Sequence, residues 1–184
     1  YFQKVPMVGI KPAVPKTVAV KTVDGKTTIN LGTPQDMVIM SGVQALRAEI
    51  KDAPVVFVGY GITAPDLNYD DYAGIDARGK IVLAMTREPR WQDPASPFRR
   101  PETYHYAQRT HKIINAREHG ARAILLVPHP AAPAERLPPL RGVSQPSGIL
   151  AAAVTRSTAA FLLRSSSKTL AELADAIDQQ LAPQ

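Results

Sequence analysis

Residues 54–88 read PVVFVGYGITAPDLNYDDYAGIDARGKIVLAMTRE. Two apolar runs, 55–58 and 81–85, are rich in β-branched residues and bounded by Gly or Pro. That pattern predicts short buried strands. Between them, Gly59, Gly61 and Ala64 match G-x-G-x-x-A directly after a strand. A dinucleotide site of that form needs a following helix whose N-terminus faces the pyrophosphate. Here Pro65, Asp66, Leu67 and Asn68 follow and read as a turn, so the glycines instead predict a tight bend or bulge at the strand's end. Asp70 and Asp71 are adjacent. In an extended segment neighbours face opposite sides, so they read as turn caps rather than as an acid/base pair. Tyr69 and Tyr72 beside them are expected to pack their rings over the sheet.

Working outward, residues 5–23 alternate valine, lysine and proline, with Val18 and Val20 on one strand face; Asp24-Gly25 predicts a hairpin turn and 27–31 the return strand. A third strand is expected at 37–40, ended by Ser41-Gly42. Residues 45–50 alternate apolar and charged side chains, which predicts a half-exposed strand or else a short helix. Residues 76–79, ending at Gly79, read as a turn into the strand at 80–85, which Lys80 begins. Residues 88–104, EPRWQDPASPFRRPETY, hold four prolines and no period, and read as an extended arm or flap. From about 103 to 119 the pattern is helical, with Tyr106, Ile113 and Ile114 inward and Gln108, Arg109, Lys112 and Glu118 outward. Gly120 stands where a left-handed cap belongs. Residues 121–127 then predict a strand parallel to 80–85 through a right-handed crossover. Residues 128–147 hold six prolines and predict an irregular loop. A strand at 149–154 follows. Thr155 or Ser157 is expected to cap a short helix, and Ser167 or Thr169 a last one carrying Leu170, Leu173, Ile177 and Leu181. Val56, Val58, Ile81, Leu83, Ile124 and Leu126 are expected to share one core.

The chain has 184 residues, 45% of them hydrophobic, which suits one domain or one domain with adornments. No apolar run approaches the roughly 20 residues that span a bilayer. Tyr1, Phe2 and Gln3 fit either a tag remnant or a start inside a longer protein. With no cysteine, disulfides, thiolate metal sites and cysteine nucleophiles are excluded. The 22 basic and 16 acidic side chains give a net charge of +6. No Lys/Arg-rich run accompanies it, so no nucleic-acid partner is expected. On a helix, His105 and His111 would stand about 120° apart and His111 and His119 about 80° apart. Neither is a chelating i, i+4 pair, and no H-E-x-x-H or G-x-S-x-G occurs, so neither a metal site nor a catalytic residue is expected in this chain. The arm concentrates aromatic and basic residues. Arg90, Trp91, Phe98, Arg99, Arg100 and Tyr104 are the candidates for contact with a substrate or partner.

Three segments carry a family resemblance: V-F-V-G-Y-G-I-x-A-P (56–65), Y-D-D-Y-A-G-I-D-x-x-G-K-I-V-L (69–83) and N-A-R-E-H-G-A-R-A-I-L-L-V (115–127). They resemble the protease-associated (PA) domain, and more narrowly the one inserted in bacterial exported di-zinc aminopeptidases. Gly59, Tyr60, Gly61, Asp71, Tyr72, Gly79 and Lys80 are the motif residues. The opening, Y-F-Q-x-V-P-M-V-G-I, and the closing L-A-E-L-A-D-A-I-D-Q-Q-L-A-P-Q are similar to the segments flanking that insert, which favours native Tyr1–Gln3 (1–3). The resemblance implies an α+β, β-rich fold: a flattened barrel or open sandwich with two to three flanking helices. It divides the chain into N-terminal strands at 1–50 that pair with the domain, a core at 51–165, and a helix at 166–184 leading back to a catalytic domain. It implies no cofactor here and two zinc ions in that catalytic domain. The implied partners are the catalytic domain and peptide substrates or other proteins, in a secreted or periplasmic setting. The implied role is a lid or substrate-access module. A stand-alone module binding a protein or cell-surface ligand is the alternative.

Overall fold

The computed structural model describes residues 13–22, 25–40, 43, 45–133, 137–139 and 147–181. In chain order the strands are β1 (Thr17–Lys21), β2 (Thr28–Gly32), β3 (Met37–Ile39), β4 (Val55–Phe57), β5 (Thr63–Ala64), β6 (Tyr69–Asp70), β7 (Ile81–Met85), β8 (Ala123–Val127) and β9 (Leu150–Val154). The α-helices are α1 (Arg109–Glu118) between β7 and β8, then α2 (Arg156–Leu162) and α3 (Leu170–Gln180) after β9. The fold is α+β. Its centre is a five-stranded sheet in the order β3-β9-β8-β7-β4, flanked by the β1-β2 hairpin and a small β5-β6 pair. Strands β4, β7, β8 and β9 run parallel, and only β3 is antiparallel to its neighbour.

Both faces of this sheet are covered, as parallel strands require. On one face Val82, Ala84, Ile124 and Leu126 pack with Ile113 and Ala116 of α1. On the other, Leu83, Met85, Val127, Ala152 and Val154 pack with Leu170, Ala174 and Ile177 of α3. Of the six residues expected in a single core (Val56, Val58, Ile81, Leu83, Ile124 and Leu126), Val56, Val58, Ile124 and Leu126 pack together on one face, whereas Leu83 lies in the core on the other. Val82 pairs with Ile124 and Leu83 with Leu125, so Leu83 faces away from Ile124. A run buried on both faces shows no alternation that would reveal this in the sequence.

The helix ends follow local chemistry. Thr155 caps α2, its side chain accepting from the Thr158 N–H. Thr169 and Glu172 form a reciprocal capping box at the start of α3. Gly120 has φ 77 after α1, which suits the left-handed turn there. Residues 45–50 form neither strand nor helix. Leu46 is fully exposed, and the charges pair locally, Arg47 with Glu49 at 3.0 Å and Lys51 with Glu49 at 3.2 Å. Alternation without a neighbouring strand edge makes no ladder. Asp24 of the hairpin turn, Ser41 and Gly42, residues 1–3 and most of 140–147 lie outside the described residues.

Candidate functional site

Two polar clusters stand out, one closed and one at the surface. The closed cluster forms where the chain bends after β4. Gly59 (φ 56) and Gly61 (φ 71) both take left-handed backbone. No α-helix follows; a 3-10 turn at Pro65–Leu67 does, so the glycines serve the bend. Asp71, 0% exposed, holds that bend shut. Its Oδ2 accepts the N–H groups of Tyr60 at 3.1 Å and Ile62 at 3.0 Å, and its Oδ1 accepts the Tyr69 hydroxyl at 2.5 Å. Asp70 turns the other way and accepts from Thr63 Oγ1 at 2.8 Å and the Tyr72 N–H at 3.0 Å. Tyr72 stacks on His119 with ring centroids 3.9 Å apart. Gly79 (φ 73) turns the chain into β7, and Lys80 pairs with Asp76 at 3.5 Å.

Lys112 completes the closed cluster, and its position is a correction. The helical wheel puts it outward, yet it is 0% exposed. Its ammonium donates to the Tyr60 carbonyl at 2.5 Å, while Asn115 Nδ2 donates to the Gly61 carbonyl at 3.0 Å. The bend leaves these two carbonyls without sheet partners, and buried carbonyls need donors. Burial pushes the Lys112 ammonium down, and the Asp71 and Glu88 charges oppose that. Burial likewise pushes the Asp71 carboxyl up, opposed by the Tyr69 hydroxyl, the Ile62 and Tyr60 N–H groups and the Lys112 charge. Burial also raises Tyr60 and Tyr69, with Asp178 and Asp71 respectively as the next causes. Asp71, Lys112 and Asn115 are buried at the centre of this cluster, and each hydrogen-bonds to the backbone of the bend itself.

The second cluster sits at the C-terminal ends of β7, β8 and β9. In open sheets with parallel strands that end is where ligands bind. From β7 come Thr86, Arg87 and the arm; from β8, His129; from β9, Arg156. Arg87 (φ 73) and Arg90 (φ 54) both hold left-handed backbone without being glycine. Such strain concentrates at working sites. His129 is 4% exposed. Its Nδ1 accepts the Trp91 indole N–H at 3.3 Å and the Ala131 N–H at 3.1 Å. Its ring lies parallel to that of Tyr60, centroids 5.8 Å apart. The Tyr60 hydroxyl donates to Asp178 Oδ1 at 2.7 Å. Arg156 donates from Nη2 to the carbonyls of His129, at 2.6 Å, and Ala132. Burial holds His129 below the ordinary histidine value; Asp178 and Asp175 oppose this, and Arg156 and Arg87 add to it. A shallow pocket beside the cluster is lined by Thr86, Arg109, Pro128, Leu137 and Pro138, among others.

The arm is folded onto the domain rather than extended. Its prolines start turns instead of stiffening a flap: Pro97 opens a 3-10 turn, Pro97–Arg99, capped by Ser96. Phe98, 1% exposed, lies between Tyr69 (5.1 Å) and Tyr106 (6.5 Å), both edge-on, so it anchors the arm inward and meets no partner. Arg90 donates from Nε to the Asp178 carbonyl at 2.7 Å and from Nη2 to the Gln179 carbonyl at 3.2 Å. It thus occupies the C-terminal carbonyls of α3, where a cation is favoured. Arg99 donates to the Trp91 carbonyl at 2.6 Å, and the Arg87 guanidinium lies 5.1 Å over the Trp91 ring. Trp91 is half-buried, while Arg99, Arg100 and Tyr104 (63%) are exposed. Of the six candidate contact residues, these last three are exposed, Arg90 and Trp91 are half-buried, and Phe98 is buried.

The histidines meet more closely than helical angles suggest. His105 and His111 lie 5.2 Å apart edge to face, because residues 104–107 form a 3-10 turn rather than the first turn of α1. Among the described residues no three His, Asp or Glu side chains come together as a metal site. No helix among them is long and apolar enough to cross a membrane.

The PA domain family matches residues 50–162. The chain belongs to the PA domain family. No curated protein sequence matches it. Among solved structures, it is similar to an aminopeptidase from Aneurinibacillus sp. strain AM-1, 24% identical, covering 76% of this chain and 24% of that one, with a TM-score of 0.37. It is also similar to BSAP, a zinc aminopeptidase from Bacillus subtilis, 16% identical, covering 82% of this chain and 28% of that one, with a TM-score of 0.46. The chain thus spans about a quarter of the length of these two structures. Within this PA domain, the closed cluster joins Gly59, Tyr60, Gly61 and Asp71, which carry the sequence resemblance, to Tyr69, Lys112 and Asn115, whereas the arm cluster draws on Trp91, His129 and Asp178. In the sequence His129 has no partner and so a surface place by default, whereas the structure buries it; nothing in the sequence singles out Asp178. The isolated His129 sits in a proline-rich loop, and Asp178 looks like any acid on an exposed helix face.

Proposed function

We propose that this PA domain is the non-catalytic module of a zinc-dependent aminopeptidase and governs peptide access to a catalytic domain elsewhere in the parent protein. The observation that carries the reading is the family match over 50–162, joined to flanking segments that resemble those around the insert in exported di-zinc aminopeptidases. In this reading the two zinc ions belong to the catalytic domain, and the parent is secreted or periplasmic. The solved structures named above are aminopeptidases, one of them a zinc enzyme. The parent proposed here is of the same kind.

The arm supplies the surface that would meet a peptide. Arg99, Arg100 and Tyr104 are its exposed side chains, and Phe98 and Arg90 fix it to the domain. Guanidinium groups donate to peptide carboxylates and carbonyls, and an exposed tyrosine offers a flat amphipathic face. A substrate of one residue and a leaving group would be too short to reach both zinc and arm. In the full-length enzyme, Arg100→Ala and Tyr104→Ala should therefore raise KM for longer peptides more than for aminoacyl-anilides, with kcat little changed. Equal effects on both substrate classes, or none, would remove the access role. An absence of aminopeptidase activity in the full-length protein would remove the parent assignment itself.

A further inference from the structure

We propose that His129 is a pH-operated clasp on the arm: a proton taken up at Nδ1 breaks its hold on the Trp91 indole and on the 129–131 turn, and the Trp91 end of the arm loosens from the sheet. The reading is independent of the parent enzyme and rests on hydrogen-bond direction. Two N–H donors, the Trp91 indole and the Ala131 amide, point at Nδ1. An imidazole nitrogen that accepts carries no hydrogen, so the proton of the neutral ring is on Nε2. Protonation can then occur only at Nδ1. The imidazolium would bring an N–H against two other N–H groups, and both contacts would be lost together.

The surroundings do not offset that loss. Nε2 is buried and has no hydrogen-bond partner among the described residues. Arg156 from α2 and Arg87 beyond β7 oppose a cation at this place; Asp178 and Asp175 of α3 favour one. The Asp178 carboxylate is already engaged, its Oδ1 accepting the Tyr60 hydroxyl and the Arg90 N–H at 3.0 Å. The Tyr60 ring covers one face of the imidazole. Burial holds the folded-state value below the ordinary 6.5. The contribution of neutral His129 is then fully present above about pH 6.5 and lost as pH falls below it. Loosening would be local, because Phe98 is anchored separately between Tyr69 and Tyr106.

Trp91 is the chain's single tryptophan, so its emission reports the clasp directly. Between about pH 8 and about pH 5 the emission maximum of the chain should move to the red and its acrylamide quenching constant should at least double. His129→Asn places an amide oxygen near the Nδ1 position, an acceptor that does not titrate; its emission and quenching should stay at the high-pH values throughout. His129→Phe keeps a ring on Tyr60 but no acceptor, and at high pH should match the wild type at low pH. No change in the wild type, or the same change persisting in His129→Asn, would overturn the proposal. Should His129→Asn lose its fold by circular dichroism, the wild type still decides. The single indole N–H resonance and the His129 ring nitrogens should move with one shared midpoint below 6.5. Separate midpoints would overturn the clasp.

Discussion

Gly59 and Asp71 stand so close that a Cβ on Gly59 would lie 2.3 Å from Asp71 Oδ1. The backbone there has φ 56. Two independent reasons therefore exclude a side chain: the left-handed conformation and a carboxylate that three donors already fix in place. Gly59→Ala should destabilise the domain by about 2–4 kcal/mol, more than a strained turn glycine alone would lose. Denaturant unfolding measures it. A loss under about 0.5 kcal/mol would mean that the bend adapts freely.

The capping box of α3 offers a smaller and cleaner test. Thr169 Oγ1 accepts from the Glu172 N–H at 3.3 Å, and Glu172 Oε2 accepts from the Thr169 N–H at 2.7 Å. Both groups are exposed, so removing them leaves no cavity. Thr169→Ala should cost about 0.5–2 kcal/mol. Thr169→Asn, which can still accept, should recover most of it. Equal losses for the two variants in a denaturant melt would show that the cap's hydrogen bond is not what sets the helix end.

The strands and caps were legible because they depend on local chemistry. β-branched runs between Gly and Pro mark β4 and β7, and Thr169 with Glu172 spells its own capping box. The register between β7 and β8 was not, because both faces are buried and nothing in IVLAM or AILLV says which side is which. Lys112 was misread for a related reason. A helical wheel assigns charge to water, and only the tertiary bend at Gly59–Gly61 (59–61) creates the carbonyl that draws the ammonium inside. The arm was misread because prolines signal the absence of strand and helix without saying whether the segment projects or folds back. Phe98 decided that, through Tyr69, a ring distant in sequence, and Tyr106, just beyond the arm.

Phe98 is accordingly the residue whose loss should free the arm. It is 1% exposed and lies edge-on to Tyr69 and Tyr106. Phe98→Ala should cost about 3–5 kcal/mol, the usual range for emptying a buried aromatic site. The neighbouring Tyr104→Ala, at an exposed position, should stay within about 0.5 kcal/mol of the wild type. Limited proteolysis adds a local readout: cleavage within 88–104 should accelerate in Phe98→Ala and not in Tyr104→Ala. Similar losses in both variants would mean that Phe98 is not the anchor.

Lys112→Met tests the buried charge and its pH dependence together. Methionine fills much of the same space but cannot donate, so the Tyr60 carbonyl is orphaned and Asp71 loses its nearest cation. Near pH 7 the substitution should destabilise by about 1–3 kcal/mol, the penalty of a buried unpaired polar group. The pH dependence follows from the direction of the shift. Burial lowers the folded-state value of Lys112 below the 10.5 of the exposed group, against the opposing pull of the Asp71 and Glu88 charges. Between those limits the unfolded chain carries a proton that the folded chain has released, so stability due to Lys112 rises with pH and is lost as pH falls. The slope is at most about 1.4 kcal/mol per pH unit for one proton. The gap between wild type and Lys112→Met should therefore be wider at pH 9 than at pH 7, and the loss of the Lys112 charge, which lets burial raise the Asp71 carboxyl further in the variant, widens it in the same direction. A gap that stays constant would show that Lys112 remains protonated in the fold, with the Asp71 charge outweighing burial.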